Sequence, residues 1–169
     1  METKELAATA NYVLTPGQLF EHWQGHRRLT RKVIEVFPED KIFNYSIGGM
    51  RPFSEMVMEM IDIAGGGIAG VATGEWKSIN HSADVTGELQ SSKEELLKLW
   101  DRVTAEIDLL APQVSPDRFQ QVEMAFGAYE GTIYSTIFYF IDNEIHHRGQ
   151  GYVYLRSLGV TPPPFWERD

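Results

Sequence analysis

The strongest constraint on this chain is an apolar period of about 3.6 residues that recurs in four stretches, each bounded by capping residues, glycine or proline. The first opens at Thr15-Pro16, an N-cap residue followed by proline at the first helical position, and Pro38 ends it. Leu19, Trp23, Val33 and Phe37 lie near one stripe of it, with Phe20, Leu29 and Ile34 beside them. The second starts near Pro52, and Phe53, Met56, Val57, Met60, Ile63 and Ala64 make its apolar face. Gly65-Gly66-Gly67 falls inside this stretch at roughly 1 kcal/mol per glycine relative to alanine, which predicts a kink or another backbone packed closely there. The third has Ser91 and Ser92 each three residues before a glutamate, the spacing of a capping box. Leu96, Leu97, Trp100, Val103, Ile107 and Leu110 follow at helical spacing until Pro112. The fourth is the longest, from about Gly131 to Leu158, with Gly159 as its C-cap and prolines soon after. Leu6 to Leu14 suits a small leading helix. No strand–helix alternation and no repeat is seen, so 169 residues predict one all-α bundle domain spanning 1–169.

Composition narrows the function. The chain has no cysteine, which excludes disulfides, Cys nucleophiles, thiolate metal sites and iron–sulfur clusters; any metal must be held by nitrogen and oxygen. Net charge is −9, without a block of basic residues. His26-Arg27-Arg28, with Arg31 and Lys32, spreads around a helix and reads as a solvated face, so no nucleic-acid partner is expected. The first residues lack the pattern of a signal peptide, and no apolar run approaches the ~20 residues of a membrane helix. A soluble, cytoplasmic protein without a membrane partner is expected. Gly65-Gly66-Gly67 lacks the preceding strand and following lysine of a nucleotide loop, and no Ser/His/Asp arrangement stands out.

The informative residues lie on the last segment. Its core stripe reads Ile133, Ile137, Phe140, then Asn143 and Glu144, His147, Gly151, Tyr154 and Leu155, and Leu158. Polar groups on such a stripe need partners, because burying one unpaired costs about 1–3 kcal/mol. Asn143 and His147 are four apart and share a face; Glu144 leans the same way, and a helix offers two metal ligands in this geometry. Di-iron carboxylate bundles use a Glu-x-x-His pair twice, with two further glutamates. Glu144/His147 is the only such pair in this sequence, so the ligand count excludes a di-iron centre. The structural alternative is a core histidine satisfied by a carbonyl or by Glu59. Gly149 and Gly151, mid-helix, imply close packing or function.

Other residues have plainer readings. His22 and His26 have ligand spacing but lie off the main apolar stripe, and read as a surface pair. Arg148 could anchor an anionic substrate or pair with a helix neighbour. Tyr134, Phe138, Tyr139 and Phe140 spread over more than one face, as core plus a helix–helix or dimer interface.

The stretch Asn-Glu-Ile-His-His-Arg-Gly-Gln at 143–150, followed by Tyr-Leu-Arg-Ser-Leu-Gly-Val-Thr-Pro-Pro at 154–163, resembles the signature of the DinB-like, or YfiT-like, family. Met-Arg-Pro-Phe-Ser-Glu-Met-Val at 50–57 is similar to that family's approach to its second helix. The resemblance implies an up-and-down four-helix bundle, often a homodimer, that binds a divalent metal, commonly nickel or zinc, through three histidines. One comes from the second helix and two from a His-x-x-x-His pair on the last. Related members are thiol S-transferases and isomerases using low-molecular-weight thiols. Carried over by position, the three ligands fall on Glu59, Asn143 and His147, two of them not histidine. The expected site is therefore a Glu59–Asn143–His147 variant, with Glu144 as a substitute for Asn143. Two functions follow: a metal-dependent transferase or hydrolase acting on a small molecule, or a non-catalytic bundle that has lost its metal and serves as an interaction or stress-associated protein.

Overall fold

A computed structural model describes residues 13–76 and 92–169. The expected leading helix, apart from its last two residues, and the capping Ser91 lie outside the described residues.

The first stretch forms α1, Pro16–Val36, with a full capping box: Thr15 Oγ1 accepts from Gln18 N–H and Gln18 Oε1 accepts from Thr15 N–H. Phe37 turns extended ahead of Pro38, and a short α2, Glu39–Ile42, follows. The second stretch forms α3, Phe53–Thr73, closed by Gly74 in the left-handed conformation. The third forms α4, Lys93–Leu110, capped by Ser92 with Glu94 and Glu95 in the first turn, where they complement the helix dipole. A 3-10 turn, Ala111–Gln113, and a short α5, Pro116–Gln120, come next. The last stretch forms α6, Ile133–Ser157. It ends in a Schellman motif: Gly159 has φ +75° and Val160 N–H reaches the Leu155 carbonyl at 2.9 Å.

The helical bundle expected from the apolar period is present. α1 packs on α4 and α6, and α3 packs on the same two, so α1 and α3 sit across the diagonal. Gln24–Asp108 and Arg31–Asp101 contacts make α1 and α4 antiparallel. Trp23–Phe140 and Thr30–Arg148 make α1 and α6 parallel, and Glu59–His147 with Gly67–Phe140 make α3 and α6 antiparallel. Direction therefore runs up, down, down, up: the alternation implied for an up-and-down bundle does not extend to α3 and α4, which point the same way.

Three other features differ from expectation. A two-stranded antiparallel hairpin, β1 (Val122–Ala125) with β2 (Tyr129–Thr132), precedes α6, so Gly131 belongs to a strand and Thr132 is the N-cap. Its turn holds Phe126 at φ +53°, a strained conformation for a bulky residue. α3 runs unbroken through the triple glycine, and side chains, not another backbone, lie nearest it. Aromatic rings cover it: a Cβ on Gly67 would lie 2.5 Å from the Phe140 ring, and one on Gly66 would lie 3.5 Å from Phe126. Finally, α3 has 21 residues and is long and apolar enough to cross a membrane, whereas no such run is expected from the sequence. Much of it, 61% of the apolar window, is buried in the bundle, as for the core helix of a packed domain.

Candidate functional site

Antiparallel packing of α3 on α6 brings the three sequence-predicted residues together. The Glu59 carboxylate meets His147 Nε2 at 2.9 Å through Oε1, and the same oxygen accepts from Asn143 Nδ2 at 3.1 Å. Arg51, just ahead of α3, donates to the other oxygen, Oε2, at 2.5 Å. Its carbonyl accepts from the Tyr154 hydroxyl at 2.8 Å, which fixes the Arg51 backbone against α6. The second ring nitrogen of His147, Nδ1, faces Gln150 Oε1 at 2.9 Å. Both ring nitrogens thus face oxygen. Burial alone would raise the Glu59 carboxyl, but hydrogen bonds from Arg51, His147 and Asn143 override it and hold it down at about 2. Glu59 is a carboxylate throughout the physiological range.

Glu144 does not join this group. Glu144 and His147 differ by about 60° around a helix of 3.6 residues per turn, and α6 lies between α1 and α3. Glu144 accordingly turns to α1, is 2% exposed, and accepts from Thr30 Oγ1 at 2.6 Å. Arg27 and Arg148 flank it at 3.8 and 3.7 Å. Arg148 pairs with its helix neighbour, as one of its two readings had it, and donates to Thr30 Oγ1 and to His26 Nδ1.

The basic stretch of α1 is only in part the solvated face expected: Arg28 and Arg31 keep side chains at the surface, whereas Arg27 and His26 do not. Arg27 is fully buried, lies 3.7 Å over the Trp100 ring and donates to Thr104 and to the Trp100 carbonyl. His26 is 2% exposed, while His22 is at the surface and lies 3.3 Å from it, nitrogen to nitrogen. The helical stripe drawn through leucine, tryptophan and valine missed this second buried face because its residues are polar and satisfied by α4 and α6. Of the aromatic cluster, Phe140 is in the core, Tyr134 packs against Phe119, and Phe138 and Tyr139 are exposed.

Burial, with the Arg148 guanidinium and then Arg168 and His22 adding to it, lowers the His26 ring from 6.5 to about 3. The unfolded chain binds this proton below pH 6.5 and the folded chain does not, so the stability it contributes is complete above pH 6.5 and is lost as pH falls toward 3. Proton NMR should show His26 neutral at pH 5. His26→Asn keeps an acceptor for Arg148 and should flatten the decline in melting temperature over that window. A ring protonated at pH 5 contradicts this assignment.

Beside Glu59, the hairpin and the starts of the facing helices enclose a cleft of about 500 Å³. Its walls include Ile63, Phe126, Tyr129, Glu130, Tyr139 and Phe140. Glu59 is the only member of the polar group that lines it.

A DinB family model matches residues 1–169, the full length. The chain belongs to the DinB family. Two solved DinB structures have the same fold. A DinB-like protein from Bacillus cereus ATCC 10987 superposes with a TM-score of 0.71 at 16% identity, covering 89% of this chain and 97% of that one. The DinB-like protein YjoA of Bacillus subtilis gives 0.69 at 20% identity, with the same coverages. Among curated proteins nothing matches.

A divalent metal of the kind the DinB resemblance implies does not fit the residues as they stand. Among the described residues, no three histidine, aspartate or glutamate side chains gather closely enough to hold an ion. One imidazole and one carboxylate fall short of the three protein ligands a catalytic zinc keeps. Asn143 turns its NH₂ toward Glu59, and Arg51 holds the carboxylate's other oxygen. The one opposing observation is that Asn143 Oδ1 is buried with no hydrogen-bond donor among the described residues.

Proposed function

We propose that this chain is a small-molecule-binding member of the DinB family whose site works without a metal. The observation that carries this reading is the occupation of Glu59 by the chain's own donors. Three donors, from Arg51, Asn143 and His147, take three of the roughly four acceptor positions of the carboxylate that the family position would offer to a metal ion. The guanidinium supplies the positive charge locally, and the carboxylate stays ionised at the edge of the cleft. An open cleft beside an intact polar group is the usual form of a small-molecule site.

The second reading is the metal-dependent transferase or hydrolase implied by the family, with Glu59, His147 and Asn143 Oδ1 as ligands. It is favoured by the unpartnered Asn143 oxygen, since a buried carbonyl without a donor is what a cation would satisfy. Thermal unfolding separates the two. A ligand that binds only the folded state raises the melting temperature. Untagged protein treated with chelator is expected to melt where untreated protein does, and nickel, zinc or manganese should add nothing. A rise with one of these metals that vanishes in Glu59→Ala or His147→Ala would overturn the metal-free reading.

A further inference from the structure

We propose that the cleft beside Glu59 binds a small organic cation, a primary ammonium held by the Glu59 carboxylate with an apolar body between Phe126, Tyr129 and Tyr139. This rests on the metal-free reading of the site and names the class of ligand it takes.

The cleft carries the argument. Its volume of about 500 Å³ suits a ligand of metabolite size. Among the described residues, the charged side chains in its lining are Glu59 and Glu130, both acidic. Arg51 offsets the Glu59 charge while Glu130 adds another, so the balance among these groups is negative and favours an ammonium over an anion. Four aromatic rings, Phe126, Tyr129, Tyr139 and Phe140, supply the remaining walls, and ring faces attract a cation while also covering an apolar body. Tyr129 and Tyr139 are 66% and 58% exposed, large rings at the surface beside the carboxylate. The hairpin that positions Tyr129 is held in place by the strained Phe126, whose ring stacks edge-on to Trp76 at 5.3 Å and lies over the α3 glycines. Ser135 and Thr136, also in the lining, place hydroxyls where further N–H groups could bond.

The chain already shows what this carboxylate accepts. Arg51, a nitrogen cation, sits on Oε2 at 2.5 Å with its side chain 48% exposed. Arg51 fills one of the two acceptor positions on Oε2, so an ammonium arriving from the cleft can share that oxygen. A net charge of −9 adds a field that favours cations over anions at the encounter.

Three probes with one aromatic body test the assignment on the full-length untagged protein in chelator: phenethylamine, the alcohol 2-phenylethanol and the acid 3-phenylpropionate. Calorimetric titration should show saturable binding of the amine, with the alcohol and the acid each weaker by about tenfold or more. Glu59→Gln should abolish the preference for the amine. Tyr139→Ala, at an exposed position that leaves the core intact, should raise the amine Kd by about tenfold, as expected for losing a cation–π wall. Equal binding of the alcohol, tighter binding of the acid, or amine binding unchanged in both variants overturns the proposal. Absence of binding by all three probes, with no metal uptake, overturns the cation assignment alone. Binding of any probe that appears only after nickel or zinc is added overturns the metal-free reading as well.

Discussion

Glu144→Ala is expected to destabilise the protein by about 3–5 kcal/mol, the scale of leaving buried charges without their partner. Glu144 is 2% exposed and faces two arginines, Arg27 at 0% and Arg148 at 6% exposure, that have no water to turn to. Burial lowers the Arg27 guanidinium to about 10, against the pull of Glu144, so removing the carboxylate removes the main interaction that keeps it charged. In a domain of this size such a loss lowers the melting temperature by roughly 10 °C or more. Urea unfolding followed by circular dichroism gives the free energy directly. Replacing all three, Arg27→Met, Glu144→Leu and Arg148→Met, should recover most of the loss, because a buried ion network and an apolar cluster of like volume are often close in stability. A Glu144→Ala loss below about 1 kcal/mol, the level of an exposed pair, contradicts this account of the α1–α6 interface.

The second large effect concerns two glycines that the sequence cannot distinguish. Gly149 and Gly151 stand two residues apart in α6, and both looked like sites of close packing or function. A Cβ on Gly151 would lie 2.5 Å from the Phe53 ring, which is fully buried and stacked on Phe37 at 5.0 Å, so the ring cannot yield cheaply. A Cβ on Gly149 meets nothing within 4 Å. Gly151→Ala should therefore cost about 1–3 kcal/mol from overpacking, offset in part by better helix propensity. Gly149→Ala should gain about 0.5–1 kcal/mol. Equilibrium unfolding of the two variants should thus move in opposite directions. A stabilised Gly151→Ala would mean that Phe53 repacks freely and that α3 and α6 are not fixed at this contact.

How much of this could be read beforehand follows from which physics leaves a trace in sequence. The four long helices were legible because Thr15, Ser92, Gly159 and the flanking prolines mark their ends and apolar residues repeat along one face. The hairpin was not, since each strand has four residues and its turn is Phe-Gly-Ala, with a bulky residue in a conformation usually given to glycine or asparagine. Glu59, Asn143 and His147 were brought together by the family pattern and a four-residue spacing. Arg51 and Gln150, which complete the network around Glu59 and His147, were missed, although Arg51 stands within the motif that marks the second helix. Glu144 was assigned to the wrong side because a three-residue spacing in a helix shares a face only when one neighbour packs there, and α6 serves two. His26 and Arg27 were misread for the same reason: a polar residue can be buried when its partners come from helices far away in the chain, and no local pattern encodes those partners.

Whether Glu59 is held by the chain's own donors or by a metal is the central question. Elemental analysis of untagged protein, purified without chelator or added metal, answers that question. The arrangement of Arg51, Asn143 and His147 around one carboxylate predicts nickel, zinc and manganese far below one equivalent per chain. One equivalent of any of them, lost in His147→Ala, would contradict it.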